Sequence, residues 1–370
     1  MITARVGIID AADTFSHDSA DTYLHALALM RHPHWVVRGL DFPRLQIGCL
    51  AGLSLLGQFF LLDLNAASTW TMMVVTTMCL AWQFWWVLPY TKLWSKEVVS
   101  AIDTGADREL TILASNVLTP NRNAQSLIDL VKKHQPDILV TMESDRWWES
   151  KLKAIEAQMP YSVKCPLDNL YGMHVFSRLP LIDPQICYLV EYDVPSIHAL
   201  VKMRSHDEVR LHFVHPAPPS PAENAESSER DAELIIVARS AAESLQPVIV
   251  AGDLNDVAWS PTTCLFRKIS RLLDPRIGRG MFNTFHCGYL FLRWPLDHLF
   301  HSSHFHLCHI ERLPSIGSDH FPLLKRLTLD RHQAAGQSGL DADATDHDWA
   351  EELAQNKGVS KKDVPQPGDS

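Results

Sequence analysis

Hydrophobic and polar positions change rhythm repeatedly along the chain, and each change predicts a different kind of element. Between Arg44 and Asp63 lie eighteen uncharged residues, LQIGCLAGLSLLGQFFLL, and between Asp63 and Lys92 lie twenty-eight more, LNAASTWTMMVVTTMCLAWQFWWVLPYT. A helix needs about 20 apolar residues to cross the hydrocarbon core, so the first run just suffices and the second is ample. Few residues separate them, which predicts a transmembrane helical hairpin over residues 45–91. Trp82, Trp85, Trp86, Tyr90 and Trp94 fit an aromatic belt at one interface. A pair of buried core helices would show polar periodicity that the second run lacks. A cleaved signal peptide would start nearer the N-terminus.

From Glu109 the rhythm turns to short apolar runs alternating with amphipathic ones. ELTILASNV and PDILVTMES predict strands on either side of a helix, NAQSLIDLVKKHQ, whose Leu127, Ile128 and Val131 share a face. MHVFSR, HALVKMR, VRLHFVHP, PVIVAGD, PLDHLFHS and HFHLCHI predict further strands, and ENAESSERDAELIIVARSAAESL a helix. HALVKMRSHDEVRLHFVH reads as an antiparallel hairpin turning at Ser205–Glu208. Parallel crossovers beside antiparallel hairpins predict an α/β domain with mixed sheets covered by helices.

Composition sets the outer bounds. Over residues 101–330 there are 23 Lys and Arg against 28 Asp and Glu, and no basic stripe, which argues against strong sequence-independent binding of nucleic acid. The seven cysteines are scattered without a CxxC pair, the usage of a reduced compartment. Residues 1–44 form an N-terminal segment whose DTYLHALALM suggests a short amphipathic helix on a membrane surface. Residues 92–108 are a linker, and the acidic segment 329–370 reads as a disordered tail in which DWAEELAQNK could form one helix. Arg31, Arg38 and Arg44 before the first span, and Lys92 and Lys96 after the second, place both ends in the cytoplasm of a bacterial inner-membrane-type protein.

The apolar runs end in a recurring set of short polar side chains. Asn116 ends the first strand, Glu143 the second and His215 a third, in HFVHPAPP. VIVAGDLNDVAWSP delivers Asp253 and Asn255, which face one side if the strand persists. WPLDHLF supplies Asp297, and GSDHFP supplies Asp319 and His320. Each could be a turn or a cap. As a set they suit metal-assisted attack of water on a phosphoester: carboxylates hold a hard cation, Asn and His donate to phosphate oxygens, and a carboxylate behind a histidine fixes its tautomer. His298, His301, His304, His306, Cys308 and His309 invite a zinc site, but positions 304, 306 and 308 share one strand face, a poor template for a compact tetrahedron. His174 and His198 read as ordinary strand residues; His286 is a pocket candidate, and Trp147 and Trp148 fit the pocket, its membrane-facing rim or the core equally.

In this order the pieces SNV, MES, YGMHVFSRLPL, VHPAPPSP, GDLND, PLDHLF and GSDHFP resemble the endonuclease/exonuclease/phosphatase superfamily over residues 109–328. The resemblance implies a four-layer α/β sandwich with mixed β-sheets, here preceded by two transmembrane helices. It implies a Mg2+-dependent hydrolase, with Mn2+ an alternative ion, that cleaves a phosphoester by in-line attack of water. Glu143 would be the main metal ligand, with Asn116 beside it and Asp319 near. His215 would bind the scissile phosphate, Asp253 orient or deprotonate the water, and Asn255 stabilise the transition state. His320, held by Asp297, would be the general base or a phosphate contact. Ser177 and Arg178 would be structural. The expected partners are the bilayer and a phosphoester of nucleic acid or of a lipid head group, with no protein partner. A catalytically inactive membrane scaffold and a zinc-dependent hydrolase using residues 298–309 are the rival readings.

Overall fold

The structure, a computed structural model, describes residues 31–101, 105–330 and 336–368. The amphipathic helix expected over DTYLHALALM lies outside them. A short helix, α1 (Trp35–Gly39), precedes two long ones, α2 (Arg44–Leu61) and α3 (Ala67–Val87). These pair as the expected hairpin, Gln58 Nε2 donating to Thr76 Oγ1 at 2.9 Å, and most of their side chains are exposed. Both helices are long and apolar enough to cross a membrane.

The remaining chain forms two sheets. One has β1 (Glu109–Asn116), β2 (Ile138–Met142), β3 (Tyr161–Cys165), β4 (Met173–Ser177), β10 (Phe305–Arg312) and β11 (Leu323–Leu329), ordered β10-β11-β1-β2-β4-β3. The other has β5 (Leu181–Cys187), β6 (Ser196–Lys202), β7 (Glu208–Phe213), β8 (Val248–Asp253) and β9 (Asp297–His301), in that order. Only β1–β2 and β7–β8 are parallel pairs, so both sheets are mixed. Side-chain alternation decides the layers. Leu110, Ile112 and Ala114 of β1 and Ile138 and Val140 of β2 meet Leu211, Ile249, Ala251 and Leu299 between the sheets. The intervening Leu113 and Leu139 pack outward on α4 (Ala124–His134) and α5 (Arg146–Leu152). Val248, Val250 and Phe300 pack outward on α6 (Ser228–Ala242) and α7 (Pro261–Ser270). Helix, sheet, sheet, helix: this is the four-layer arrangement.

Several elements went unread in the sequence. The most consequential is β11, which lies between β10 and β1. Its alternation is masked by Lys325, which is buried and donates to Leu299 O at 3.2 Å. The linker 92–108 is not free chain: Val98 is in the inter-sheet core, and Val99 O and Ala101 N bond to Leu307 at 3.0 Å each.

The segment expected to be a disordered tail is ordered after residue 335. A helix, α8 (Ala344–Asn356), opens with a reciprocal cap between Asp343 and Asp346 and buries Trp349, Ala350 and Ala354 against α6 and α7. Its acidic residues have basic partners on those helices, Asp346 with Lys268 at 2.8 Å and Glu351 with Arg239 at 2.7 Å. Charge that looked like the signature of disorder is complementary once folding supplies the neighbours. Trp349→Ala should therefore cost about 3 kcal/mol, the usual loss on emptying a large buried site, seen as a lower unfolding midpoint. An unchanged midpoint would mean that α8 contributes nothing to the domain.

The hairpin is fixed to the domain at both ends. Tyr90 and Val87 pack with Ala258, Trp259, Ile277 and Leu296, joined by Phe42, Leu45 and Trp86. Tyr90 Oη donates to Ala258 O at 2.5 Å, Trp259 Nε1 to Asp41 O at 2.8 Å, and Gly278 N to Pro89 O at 2.8 Å.

Candidate active site

The same alternation that builds the inter-sheet core carries polar residues to one end of it. In β1 the inward series Leu110, Ile112, Ala114 continues to Asn116, and in β8 the series Ile249, Ala251 continues to Asp253. Asp297 opens β9 directly opposite Asp253. Where the apolar layer between the sheets runs out, these side chains face one another.

Strand geometry stops at Asp253, so it does not deliver Asn255 as the extended extrapolation implied. Asn255 sits in the left-handed region at φ 51°, its N–H donating to Asp253 Oδ1 at 3.0 Å and its Nδ2 to Pro216 O at 3.0 Å. GDLND is thus both a turn and a site. Gly252 is required there: a Cβ would meet Val214 O at 1.8 Å. Glu143 is also left-handed, at φ 56°, one residue past β2. Such a conformation costs about 1 kcal/mol or more in a residue with a side chain and clusters at functional sites.

All eight proposed site residues come together at this end of the domain. Asn116 Nδ2 bridges Glu143 Oε1 at 2.7 Å and Asp253 Oδ2 at 3.1 Å. His320 lies between two carboxylates, Nδ1 at 2.7 Å from Asp297 Oδ2 and Nε2 at 3.4 Å from Asp253 Oδ2. His215 Nε2 is 3.9 Å from Asp253 Oδ2. Glu143, Asn255, Asp319 and His320 line a cavity of about 730 Å³.

The electrostatics separate the roles. Burial pushes the Glu143 carboxyl up to about 7; the Asn116 hydrogen bond opposes this, and Asp253 adds to it. Burial also raises Asp253, against the pull of His320. For His320 burial works against the charge, yet Asp297 and Asp253 outweigh it and push the imidazole up to about 10. His215 is lowered by burial and stays neutral.

Two groupings could hold a cation. Asp253, Asp297 and His320 place one ligand atom each within 4.8 Å of one another, but there the imidazolium already occupies the middle. Glu143 offers the better fit: it lines the open cavity, its Oε2 is buried without a hydrogen-bond partner, and burial holds its carboxyl high. A hard, oxygen-seeking cation such as Mg2+ suits that atom.

Other candidates resolve differently. Ser177 and Arg178 are structural, Ser177 Oγ donating to Leu179 O at 2.7 Å and Arg178 N to Asp137 O at 2.8 Å. His174 and His198 are buried and neutral, pushed down to about 4 and about 3. Trp148 is core and Trp147 packs against it. Phe285 rather than His286 lines the cavity, its ring 4.9 Å from that of His320. Among the described residues no part of the histidine-rich run gathers as a metal cluster. His298 is spent on Arg276 at 2.7 Å and Asp256 O at 2.9 Å.

The rest of the cavity wall carries no chemical signature in the sequence. Trp35, Arg38 and Phe42 come from the segment before α2, and Leu292 and Trp294 from the loop before β9. Tyr171 packs on His215, ring centroids 5.5 Å apart.

Residues 113–320 match the endonuclease/exonuclease/phosphatase family, more than half of the chain. The chain belongs to that family. It is therefore a hydrolase of phosphoester bonds. No curated protein matches it. Among solved structures it is similar to D. rerio TDP2 complexed with a single-strand DNA product, at 17% identity over 60% of this chain and 100% of that one, TM-score 0.49. It is also similar to the human Nocturnin catalytic domain with bound sulfate, at 16% identity over 60% and 94%, TM-score 0.48. A family protein of Bacteroides thetaiotaomicron gives 17% identity over 61% and 97%, TM-score 0.49. The family's name covers nucleases and phosphatases alike.

Proposed function

We propose that the protein is a membrane-anchored, Mg2+-dependent phosphodiesterase or phosphatase whose active site is the Asn116–Glu143–His215–Asp253–Asn255–Asp297–Asp319–His320 cluster. One observation carries the reading: a buried imidazole, His320, held between Asp297 and Asp253 beside a carboxylate, Glu143, with an unpartnered buried oxygen. A divalent cation on Glu143, with Asn116 and Asp319 near, would offset charge on a phosphate oxygen. His320 and the Asn255 amide supply donors to the phosphate as negative charge builds. Since His320 already carries its proton, Asp253 is the better-placed acceptor for a proton from water. Neutral His215, beside Asp253, offers a further phosphate contact. The scaffold reading has little support from a cluster with every polar group in place.

The hairpin supports membrane anchoring. Arg31, Arg38 and Arg44 before α2, with Lys92 and Lys96 after α3, support a cytoplasmic catalytic domain by the positive-inside bias. A reporter fused after Ser370 that is active only in the periplasm would overturn that orientation.

The function is tested on the purified full chain with bis-p-nitrophenyl phosphate, DNA and phospholipids, with Mg2+, Mn2+ or EDTA. Turnover that EDTA abolishes and Mg2+ restores is expected; turnover indifferent to chelation would sink the reading. Metal binding has its own signature. A cation must displace the Glu143 proton, so Mg2+ affinity should rise about tenfold per pH unit below about 7 and level off above it. Glu143→Gln should weaken binding and remove this pH dependence in a calorimetric titration. An unchanged profile would place the metal elsewhere.

A further inference from the structure

The loop that closes the active-site cavity also touches the membrane hairpin. Between Phe285, which packs on His320, and Trp294 the chain projects GYLFL, with Leu290 and Phe291 exposed to 76% and 86%. Exposed aromatic and aliphatic side chains side by side are a costly surface in water and an ordinary one against lipid. Gln46 Nε2, on the third residue of α2, donates to Phe291 O at 2.7 Å. At 1.5 Å per residue that anchors the loop about 3 Å along the first span, where the chain enters the apolar layer. Leu93, 87% exposed, and Trp94 follow the second span, so apolar side chains flank the hairpin at both domain-proximal ends.

The loop is coupled to the chemistry. Its next residue, Leu292, lines the cavity together with Trp35 and Phe42 from just before α2. Cys287 N donates to Asp319 O at 2.7 Å, tying the other side of the loop to the Asp319–His320 pair. The cavity is thus walled by catalytic residues on one side and by membrane-proximal aromatic and aliphatic residues on the other.

From this juxtaposition we infer that Tyr289–Leu292 is a lip of the active site seated in the bilayer interface, and that the phosphoester substrate is a membrane amphiphile. Its head group would enter the cavity while its chains stay in the lipid. The inference rests on the phosphoesterase reading and narrows it to a substrate class. The net acidic catalytic region favours this over a nucleic-acid polymer.

The test uses the full chain in vesicles of phosphatidylethanolamine, phosphatidylglycerol and cardiolipin. Lipid phosphodiester loss is followed by phosphorus NMR, beside bis-p-nitrophenyl phosphate turnover in detergent. Leu290→Ser/Phe291→Ser should lower lipid turnover at least tenfold and leave bis-p-nitrophenyl phosphate turnover unchanged. A benzophenone side chain at position 291 should give lipid adducts, and one at Leu245, exposed before the far end of β8, should give none. Adducts missing from position 291 would overturn the lip, whatever the activity. No lipid loss from protein that hydrolyses bis-p-nitrophenyl phosphate would overturn the substrate class, and cleavage of DNA in its place would identify a nuclease. Failure on bis-p-nitrophenyl phosphate as well would implicate the phosphoesterase reading, while the crosslinks still decide the lip.

Discussion

His320→Ala is expected to lower kcat by about 10³, the scale associated with losing a positioned acid–base or charge-stabilising group, while the protein still folds. The side chain is buried and sits between Asp297 and Asp253, so in the proposed mechanism its loss removes both a donor to the phosphate and the counter-charge of Asp253. The pH dependence separates its two conceivable roles. With the imidazole pushed up to about 10, His320 is charged across the neutral range. Activity attributable to it should hold to about pH 9 and fall as the proton leaves; a neutral-base role would instead show activity rising through the ordinary histidine range near 6.5. Stability follows the same linkage. A group whose folded pKa lies above its unfolded value contributes fully below about 6.5 and loses that contribution as pH rises through about 10. The wild type should thus lose stability between pH 7 and 10, and His320→Gln should lose less. A wild-type rate that climbs from pH 6 to 7.5, with His320→Gln flat, would reverse the assignment.

The eight candidate residues stood out because each lies where an apolar run gives way to short polar side chains, and because their order along the chain matches a family pattern. What the sequence could not reveal is where those runs sit relative to one another. The parity that puts Asn116 and Asp253 on the inter-sheet face is visible within each strand, but the facing of the two sheets is a tertiary fact. Lys325 hid β11 because a buried lysine imitates an exposed position. Trp35, Phe42 and Leu292 carry no chemistry that marks them, and they join the cavity only because the hairpin packs against Trp259 and Leu296. The acidic segment after residue 335 misled for the opposite reason: its charge is answered by Lys268 and Arg239, far away in sequence.

Arg276→Met should be among the most destabilising single changes in the domain, although Arg276 does not line the cavity. Its Nη2 lies 2.7 Å from Asp274 Oδ2 and 2.7 Å from His298 Nδ1, and its Nη1 donates to Asp297 O at 3.4 Å. Both Arg276 and Asp274 are fully buried. Burial opposes the charge on Asp274, but Arg276 prevails and holds its carboxyl well below the usual carboxylate range. Removing the arginine strands that charge, which costs about 3–5 kcal/mol in buried pairs. Replacing both partners by apolar residues, as in Asp274→Leu/Arg276→Met, should cost less than the single change, because no charge is left uncompensated. Unfolding midpoints are therefore expected in the order wild type, double variant, Arg276→Met. Acid adds a second readout. A depressed carboxyl contributes stability above its unfolded value, about 3.9, and loses it only as pH falls through the lower folded one. Arg276→Met should accordingly unfold at higher pH than wild type. The same arginine braces the main chain of Asp297, which holds His320, and Asp274 N donates to Glu97 Oε2 at 2.7 Å, in the segment leaving the second span. One buried charge pair thus joins the segment after α3 to His320, and a variant that unfolded at the wild-type midpoint would show that the domain's stability does not depend on it.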